Sequence, residues 1–559
     1  MPLLSLAQSI LEEILILALD LPLPAPYTLD GTSRTLPIGV LNSQAQSSTK
    51  EFLQTANSLL LASRQLHAAT APLIYSRTVF DVGHIGRLAA FLDAIGARNR
   101  QCLRYVTLYL ERGDEDEDGG GRLSRNNSCP RLFEEEDVDE VDMTAAFLRK
   151  VVETLSRLPA SLRGLWVYFP FQERWLAVNQ ETGRVHPLLR SALQRFSCIE
   201  TLVIVGCPHD VPWDILYIRG PGQGTGEAAE EEEEGETKPT SAFPFLKALH
   251  LDGRLQGGID GVELTTAVSE EVLPALTYLE VQGLDDGVGQ NIPITGESSF
   301  AEAIRALRPL QVFQWSRGSE SQSFRGPPKT QCLMDSHIHA LISRHGCTLR
   351  EVKIDLAGHL ARDYARAITD KSLVSILVSL SSLQSAAILA PFLDFIKLLR
   401  RIADSHPQTL QRAITPSLKS LRLTLGVEEE PLQTALDTSQ VAALCLRTNL
   451  WRISHLRLRL VVGSRPEIHE FGSRDYKIHR NNLKRYIELE KALAACIKGC
   501  LEQHGHADGV EGQTVRKAQG RDWCELSLVD VYDYSPFWYD SVEQWREEDV
   551  YAEGPHSEC

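Results

Sequence analysis

The chain has 559 residues, of which 43% are hydrophobic and 23% charged, so it can hold more than one domain and a sizeable core. Its formal net charge is -17 and it contains no long basic run, so nucleic acid is not indicated as a partner. No stretch of about 18 uninterrupted apolar residues occurs, so a membrane span is not expected.

The cysteines and the N-terminus indicate the compartment. The 11 cysteines are scattered without close pairs. The apolar N-terminus lacks a positively charged start, and Glu12 and Glu13 interrupt it, so no secretory signal is predicted. We therefore expect reduced thiols and a location in the cytoplasm, the nucleus or both.

Residues 1–80 are predicted to form a small helical unit. Apolar residues in LSLAQSILEEILILAL recur at helical spacing. A stretch rich in Pro, Ser and Thr, at about 22–49, is predicted as a loop insertion. A second helical segment follows it, and Pro72 is expected to end or restart the helix.

The helical unit resembles an F-box. Leu6, Ile10, Leu11, Ile14 and Leu15 match the opening of the family pattern, although Ala7 stands where the family has Pro. The closing part of the pattern is matched by Leu60, Ala62, Ser63, Arg64, Leu66, His67, Pro72, Leu73 and Tyr75.

The resemblance implies that this unit binds a Skp-type adaptor and, through it, a cullin, while the rest of the chain holds a substrate for ubiquitin transfer. The residues expected to face the adaptor are Leu6, Ile10, Ile14, Leu59, Leu66, Pro72 and Leu73. The alternative is a helical cap that only shields the first repeat from water.

Three acidic runs carry the net charge. Residues 114–118, 134–142 and 227–236 contain 5, 7 and 7 acids, which together exceed the net charge of the whole chain. Blocks of like charge beside Gly-rich stretches are typical of solvated loops. Residues 111–142 and 220–240 are therefore predicted as disordered acidic insertions, with docking of a basic partner as the alternative.

An apolar pattern, Leu-x-x-Leu-x-Leu or a close variant, recurs ten times, and helical patterns precede many of the copies. The last two apolar residues are two apart, the spacing of one strand face. Most copies start 30 to 39 residues apart, so the chain is predicted to repeat a helix and a parallel strand. The copies start at Leu103, Leu162, Ile199, Leu246, Leu276, Leu310, Leu349, Leu383, Leu418 and Ile453.

The repeated pattern resembles the leucine-rich repeat family. The resemblance implies a curved α/β solenoid over residues 81–470, with the strands on its concave side. A doubly wound α/β domain, which also alternates helices and strands, is the alternative.

The residue between the last two apolar positions of each copy is expected on the concave face. Cations occur late in this series, so we hypothesise that the C-terminal half of the face binds an acidic or phosphorylated segment. An ordinary solvated strand face, paired with a carboxylate such as that of Asp355, is the alternative. The candidate substrate-binding residues are Trp166, His250, Lys353, Arg422, Arg457 and Arg459.

Residues 471–559 depart from the repeat. A long amphipathic helix ending at Gly505, a strand in DWCELSLVD and an aromatic acidic tail are predicted, and together they are expected to cap the solenoid. Alternatively, the tail binds a partner through Phe537, Trp538 and Tyr539.

No arrangement of residues predicts a catalytic group, a cofactor or a metal ion. Cys496, Cys500 and His504 lie four apart on a predicted helix, but the second close pair of a structural zinc site is missing. Two functions remain: the substrate-recognition subunit of a Skp-cullin-F-box-type ubiquitin ligase, or a leucine-rich-repeat interaction scaffold without a role in ubiquitin transfer.

Overall fold

The computed structural model divides the chain into two compact units, residues 1–276 with 306–308, and residues 277–305 with 309–559. We call them unit 1 and unit 2 and describe each by itself. The structure describes residues 8–19, 37–38, 47–110, 137–169, 186–205, 215–218, 240–252, 265, 267–282, 299–316, 333, 335–356, 368–404, 414–427, 444, 447–448, 450, 453, 455–462 and 524–530.

Unit 1 contains six helices among its described residues: α1 Gln8–Ala18, α2 Ser47–Ala62, α3 Arg64–Arg77, α4 Ile85–Arg100, α5 Asp137–Ser156 and α6 Pro187–Gln194. Its parallel strands, in the order in which they pair, are β1 Pro37–Ile38, β2 Val79–His84, β3 Tyr105–Tyr109, β4 Gly164–Tyr168, β5 Thr201–Val205 and β8 Ala248–Asp252. The short strands β6 Tyr217–Ile218 and β7 Thr240–Ser241 form a separate antiparallel pair.

Unit 2 contains seven parallel strands that pair in chain order. They are β9 Tyr278–Gln282, β10 Val312–Ser316, β11 Glu351–Asp355, β12 Ser385–Asp394, β13 Ser420–Val427, β14 His455–Val462 and β15 Cys524–Asp530. The described helices that accompany them are α7 Ser299–Ala306, α8 Asp335–His345, α9 Asp370–Ser379 and α10 Phe395–Asp404.

The ten copies of the apolar pattern are strands β3, β4, β5 and β8 to β14, which confirms the predicted alternation of helices and parallel strands. Within each unit the strand order follows the chain without a reversal. A doubly wound domain requires such a reversal, so that alternative is wrong. The architecture is a leucine-rich-repeat-like α/β fold.

The two faces of the strands differ in composition, because successive side chains point to opposite sides. One face, the leucine face, carries the apolar residues of the pattern; Val106 and Leu108 on β3, for example, are fully buried. Helix α4 contacts β2 and β3, and α10 contacts β12 and β13. Each large apolar side chain buried in these layers contributes about 1.5–3 kcal/mol. The other face carries the residue between the last two apolar positions, and we call it the variable face.

At seven junctions in the described part of the chain, one backbone carbonyl joins a repeat to the next. The carbonyl of Arg104 accepts the N–H groups of Arg163, at 2.7 Å, and Gly164, at 2.9 Å. In unit 2 the carbonyl of Gln311 accepts those of Arg350 and Glu351 at 2.7 and 3.1 Å. These backbone groups at the start of each strand are thereby hydrogen-bonded before the strand pairing begins. The same pair of bonds is accepted by the carbonyls of Arg163, Glu200, Thr277, Arg350 and Gln384.

Hydroxyl groups add a second link between repeats of unit 2. Thr348 Oγ1 donates to the carbonyl of Leu310 at 2.8 Å, and Ser382 Oγ donates to that of Cys347 at 2.6 Å. Ser417 Oγ lies 2.7 Å from the carbonyl of Ser381. Each hydroxyl lies in the turn before a strand, so successive turns are tied together by side chains as well as by the backbone.

Two sequence boundaries differ from the structure. Part of the predicted loop at 22–49 is ordered, because residues 37–38 form β1, which pairs with β2, and α2 begins at Ser47. The acidic insertion predicted at 111–142 ends earlier, because residues 137–142 form the first turns of α5. Residues 111–136 and 220–239 of the two acidic insertions lie outside the described residues, and Thr240 begins β7.

Two further expectations changed. Pro72 lies inside α3, which continues to Arg77, so it neither ends nor restarts the helix. The strand predicted in the C-terminal segment is β15, and it pairs with β14, so the sheet of unit 2 extends beyond residue 470. The predicted C-terminal helix and the aromatic tail lie outside the described residues. In the described part of the chain, no helix is long and apolar enough to cross a membrane.

Candidate protein-interaction surfaces

The N-terminal helices have a small core of their own. Leu11 and Leu15 of α1, which are 3% and 1% exposed, pack with Ala69 of α3. The half-buried side chains of Leu59, Leu66 and Leu73 pack against this cluster from α2 and α3. One side of α1 is therefore covered by the other two helices.

The opposite side of α1 is also apolar, but it is open to solvent. Ile10 is 47% exposed, Ile14 is 36% exposed and Leu17 is 80% exposed. These residues recur at helical spacing and form a stripe, which we call the α1 stripe. A surface helix of a globular protein ordinarily carries polar residues on its solvent side. A contiguous exposed apolar patch indicates an interaction site, because its burial against a partner is favourable.

The junction of α2 and α3 is held by local hydrogen bonds. Ser63 is the N-cap of α3, and its hydroxyl accepts the N–H of Leu66 at 3.1 Å. The Nδ1 atom of His67 lies 3.2 Å from the carbonyl oxygen of Leu60. A surface depression of about 400 Å³ lies beside the junction, lined by Leu60, Leu61, Ser63, Arg64 and His67.

The residues predicted to face an adaptor are divided by the structure. Ile10 and Ile14 lie on the exposed α1 stripe, and Pro72 is half-buried inside α3. Leu6 lies outside the described residues. The periodicity of an amphipathic helix does not tell which apolar positions face its own neighbours. The positions that pack within the helical unit are Leu59, Leu66 and Leu73.

The variable face of unit 1 carries a hydrophobic cluster. Tyr105, Trp166 and Val203 are buried together, with Val79, Tyr168 and Val205 packed against them. The rings of Tyr109 and Tyr168 stack with their centroids 4.7 Å apart, and burial raises the pKa of the Tyr105 hydroxyl. Trp166 is only 6% exposed because its ring packs within this cluster, and its contact with a substrate stays a prediction. His250, on the same face of β8, is half-buried.

A glycine makes room for the aromatic rings. A Cβ atom on Gly164 would lie 2.5 Å from Cδ1 of Tyr105 and 2.8 Å from Cζ3 of Trp166. The sequence contained a signal for this cluster that was not used. Aromatic residues occur on one face of two consecutive strands, β3 and β4, and Gly164 begins the second strand on that same face. The alternation alone did not show that two rings occupy the space above the glycine.

The Gly164→Ala variant is expected to lower the free energy of unfolding by about 1–3 kcal/mol, because the added methyl group overpacks the cluster. Urea unfolding measures the loss. The matched control is the double variant with Tyr105→Ala, which removes one of the two rings. Since the substitutions are in contact, the double variant should lose less than the sum of the two single losses. Wild-type stability of Gly164→Ala would contradict the steric account.

The variable face of unit 2 is largely polar, and its positions lie in register. One row runs across all seven strands, because the register pairs each of its members with the next. Its members are Glu280, Gln314, Lys353, Ala387, Arg422, Arg457 and Glu525.

Polar contacts fill the first half of this row. The Tyr278 hydroxyl lies 2.7 Å from Oε2 of Glu280, and Nε2 of Gln314 lies 3.4 Å from Oε1 of the buried Glu351. Lys353 is half-buried beside them. This half therefore consists largely of buried or half-buried polar side chains in contact with each other.

The second half of the row contains arginines. Arg422 is exposed and Arg457 is half-buried, and the two are register partners on neighbouring strands. Arg459 is the register partner of Thr424 and Ser527. The structure thus brings Arg422, Arg457 and Arg459 to two adjacent strands, while Lys353 lies two strands away from Arg422. Among the described residues, no group of three His, Cys, Asp or Glu side chains has the arrangement of a metal site.

Comparisons with known proteins give a distant structural likeness. No family model matches the sequence, and no curated protein matches it. One similar solved structure is the leucine-rich repeat-containing protein LegL7 from Legionella pneumophila, which is 11% identical. The alignment covers 69% of this chain and 91% of LegL7, with a TM-score of 0.29. At that score, the repeat architecture rests on the strand pairing described above.

Proposed function

We propose that this protein is the substrate-recognition subunit of a Skp-cullin-F-box-type ubiquitin ligase. Its helices α1 to α3 dock a Skp-type adaptor, which links the chain to a cullin, and its repeats hold a protein substrate. The chain itself contributes no catalytic group, because ubiquitin transfer follows from the high local concentration of a tethered substrate. It acts in the cytoplasm, the nucleus or both.

The observation that carries the proposal is the α1 stripe. Helix α1 uses one apolar side to pack on α3, yet Ile10, Ile14 and Leu17 leave a second apolar side in water. Burying a fully exposed Ile or Leu side chain is worth about 1.5–3 kcal/mol, so a partner that covers the stripe gains several kcal/mol. The resemblance of the surrounding sequence to an F-box identifies the expected partner as a Skp-type adaptor.

Co-purification of the full chain with a Skp-type adaptor and a cullin tests the proposal. A complex that elutes as one species in size-exclusion chromatography, with the adaptor at an equal molar amount, is the expected result. A chain that elutes alone from an equimolar mixture with the adaptor, at concentrations of about 10 μM, would count against it, because typical specific complexes form well below that concentration.

A second function is favoured by the variable face of unit 2. Its register places one position from each of seven parallel strands in one row, and this array does not include the N-terminal helices. Solenoids of stacked repeats present such extended surfaces to protein partners. A repeat scaffold that binds a protein partner without any role in ubiquitin transfer uses the same surface, and failure of adaptor binding alone would favour it.

A further inference from the structure

We propose that the variable face of β13 and β14 binds an acidic segment of the protein partner, with Arg422 as its principal contact. The segment presents carboxylate or phosphate oxygens to the guanidinium group. This inference rests on the proposed function only in that the repeats hold a protein partner.

Two arginines lie next to each other on this face. Arg422 and Arg457 are register partners on adjacent parallel strands, so their backbones lie about 4.8 Å apart and both side chains belong to the same face. Both residues add positive charge to this part of the face, whatever other group Arg457 contacts, and positive charge favours negatively charged ligands.

The strand next to Arg422, β12, is uncharged at the position that faces it. The register partner of Arg422 on β12 is Ala387, which contributes no charge and little bulk. Ser420 and Thr424 flank Arg422 on its own face of β13 and are neutral at neutral pH. An anionic group that approaches Arg422 from the β12 side therefore meets neutral side chains at these register positions.

The carboxylates that could compete with a ligand for Arg422 lie at some distance from it. On the described strands, Glu351 and Asp355 belong to β11, two strands from β13. Asp394, at the end of β12, is the register partner of Gly426, four residues along β13 from Arg422. Glu525 is the register partner of Arg457 on β15. Two strand spacings are about 10 Å, close to the Debye length at physiological salt, so the β11 carboxylates are largely screened from a ligand at Arg422. Asp394 is about 13 Å from Arg422 along the strand, and the backbone of Glu525 lies two strands from that of Arg422.

The principal contact, Arg422, is accessible to a ligand. Arg422 is exposed, and its planar guanidinium can donate two parallel hydrogen bonds to a carboxylate or a phosphate. Arg457 is half-buried and supplies positive charge from its place in the row, whatever other group it contacts. Arg422 is therefore the residue whose loss should weaken binding most.

The test uses three synthetic peptides of equal length and the folded full chain. One peptide alternates Glu with Ser, the second carries phosphoserine between Gln residues, and the third alternates Gln with Ser. Fluorescence anisotropy at physiological salt measures binding to wild type, Arg422→Glu, and Arg400→Glu. Arg400 is exposed on α10, so its variant makes the same charge change away from the variable face. Circular dichroism verifies that both variants are folded.

We expect wild type and Arg400→Glu to bind an anionic peptide equally well and Arg422→Glu to bind it at least about tenfold more weakly. Binding of the Glu peptide shows that carboxylates suffice, and binding of only the phosphoserine peptide identifies phosphate as the required group. Equal affinity for the neutral peptide, equal affinity of Arg422→Glu and wild type, or absence of binding to any peptide overturns the inference.

A cross-linking experiment separates loss of acidic-segment binding from loss of adaptor and substrate binding. Partners cross-linked to the wild-type chain in cells and to Arg422→Glu are compared by mass spectrometry. If both recover the same partners, the chain still holds substrates and only the acidic-segment inference is wrong. If adaptor and substrates are not recovered at all, the proposed function fails, and the peptide affinities decide the inference by themselves.

Discussion

The Ile10→Asp, Ile14→Asp double variant is expected to lose capture of a Skp-type adaptor while its helices remain folded. Both side chains lie on the solvent side of α1, so the substitutions leave the contacts of Leu11 and Leu15 untouched. An adaptor that covers the stripe would have to bury two unpaired carboxylates, which costs several kcal/mol. Affinity should therefore fall by at least about 100-fold, the equivalent of about 2.7 kcal/mol.

Quantitative pull-down with purified adaptor measures this loss, and circular dichroism with thermal unfolding verifies the fold. Glu13→Lys is a matched control, because Glu13 is exposed on the same helix and its substitution changes charge without removing an apolar side chain. Leu15→Asp provides the opposite contrast, since it places a charge in the core of the helical unit and should unfold it. Undiminished capture by the double variant would remove the basis for the ubiquitin-ligase proposal.

His345 should have a large effect on stability, because it joins three segments of unit 2 from a fully buried position. Its Nδ1 accepts the N–H of Leu310 at 3.1 Å, and its Nε2 lies 3.0 Å from the carbonyl oxygen of Ile304. These two contacts describe a neutral ring that carries its hydrogen on Nε2. Burial, opposed by the hydrogen bond to Ile304 and aided by the charge of Arg344, lowers the pKa of His345 from 6.5 to about 4.

The His345→Leu variant is expected to lose about 2–5 kcal/mol of unfolding free energy, because a buried N–H and a buried carbonyl each lose their partner. Urea unfolding at neutral pH measures the loss. His339→Leu serves as the control, since His339 is exposed on the same helix and its replacement should change stability by no more than about 0.5 kcal/mol. A variant at position 345 as stable as wild type would contradict the bridging role.

The lowered pKa of His345 also gives the protein a defined dependence on pH. The unfolded chain binds a proton at this residue below pH 6.5, whereas the folded chain does so only near pH 4. The contribution is therefore complete above pH 6.5 and is lost as the pH falls through the window from 6.5 to about 4. Its full size is about 3 kcal/mol. His345→Gln keeps a donor and an acceptor without titrating, so its stability should fall less than that of wild type over this window.

The sequence predicted the strands well because their signal is local. Two apolar residues spaced by two, repeated at each copy, define one buried strand face, and all ten copies became strands. The same reasoning placed Arg422 and Arg457 on one face, and the register confirms that they are neighbours. The helical patterns predicted before many of the copies agree with helices α5, α7, α8 and α9, which precede β4, β10, β11 and β12.

Other features required coordinates because they depend on contacts between distant residues. The bond pair accepted by each carbonyl at a repeat junction involves only backbone atoms, so no residue type announces it. Trp166 was predicted as a surface contact, but Tyr105 and Val203 from neighbouring strands bury it. The exposed side of α1 was not distinguishable from its packed side, because both sides of that helix are apolar.

The uniform chemistry of the repeat junctions has a consequence for how such a chain can change in length. The carbonyl of Arg350 serves the amides of Gln384 and Ser385, and that of Gln384 serves the amides of Lys419 and Ser420. If one whole repeat is removed or duplicated, the two repeats that become neighbours still carry one carbonyl acceptor and the two N–H donors that bind it. Insertion or deletion of whole repeats should therefore give chains that still fold, whereas a deletion that ends inside a repeat leaves backbone N–H groups without an acceptor.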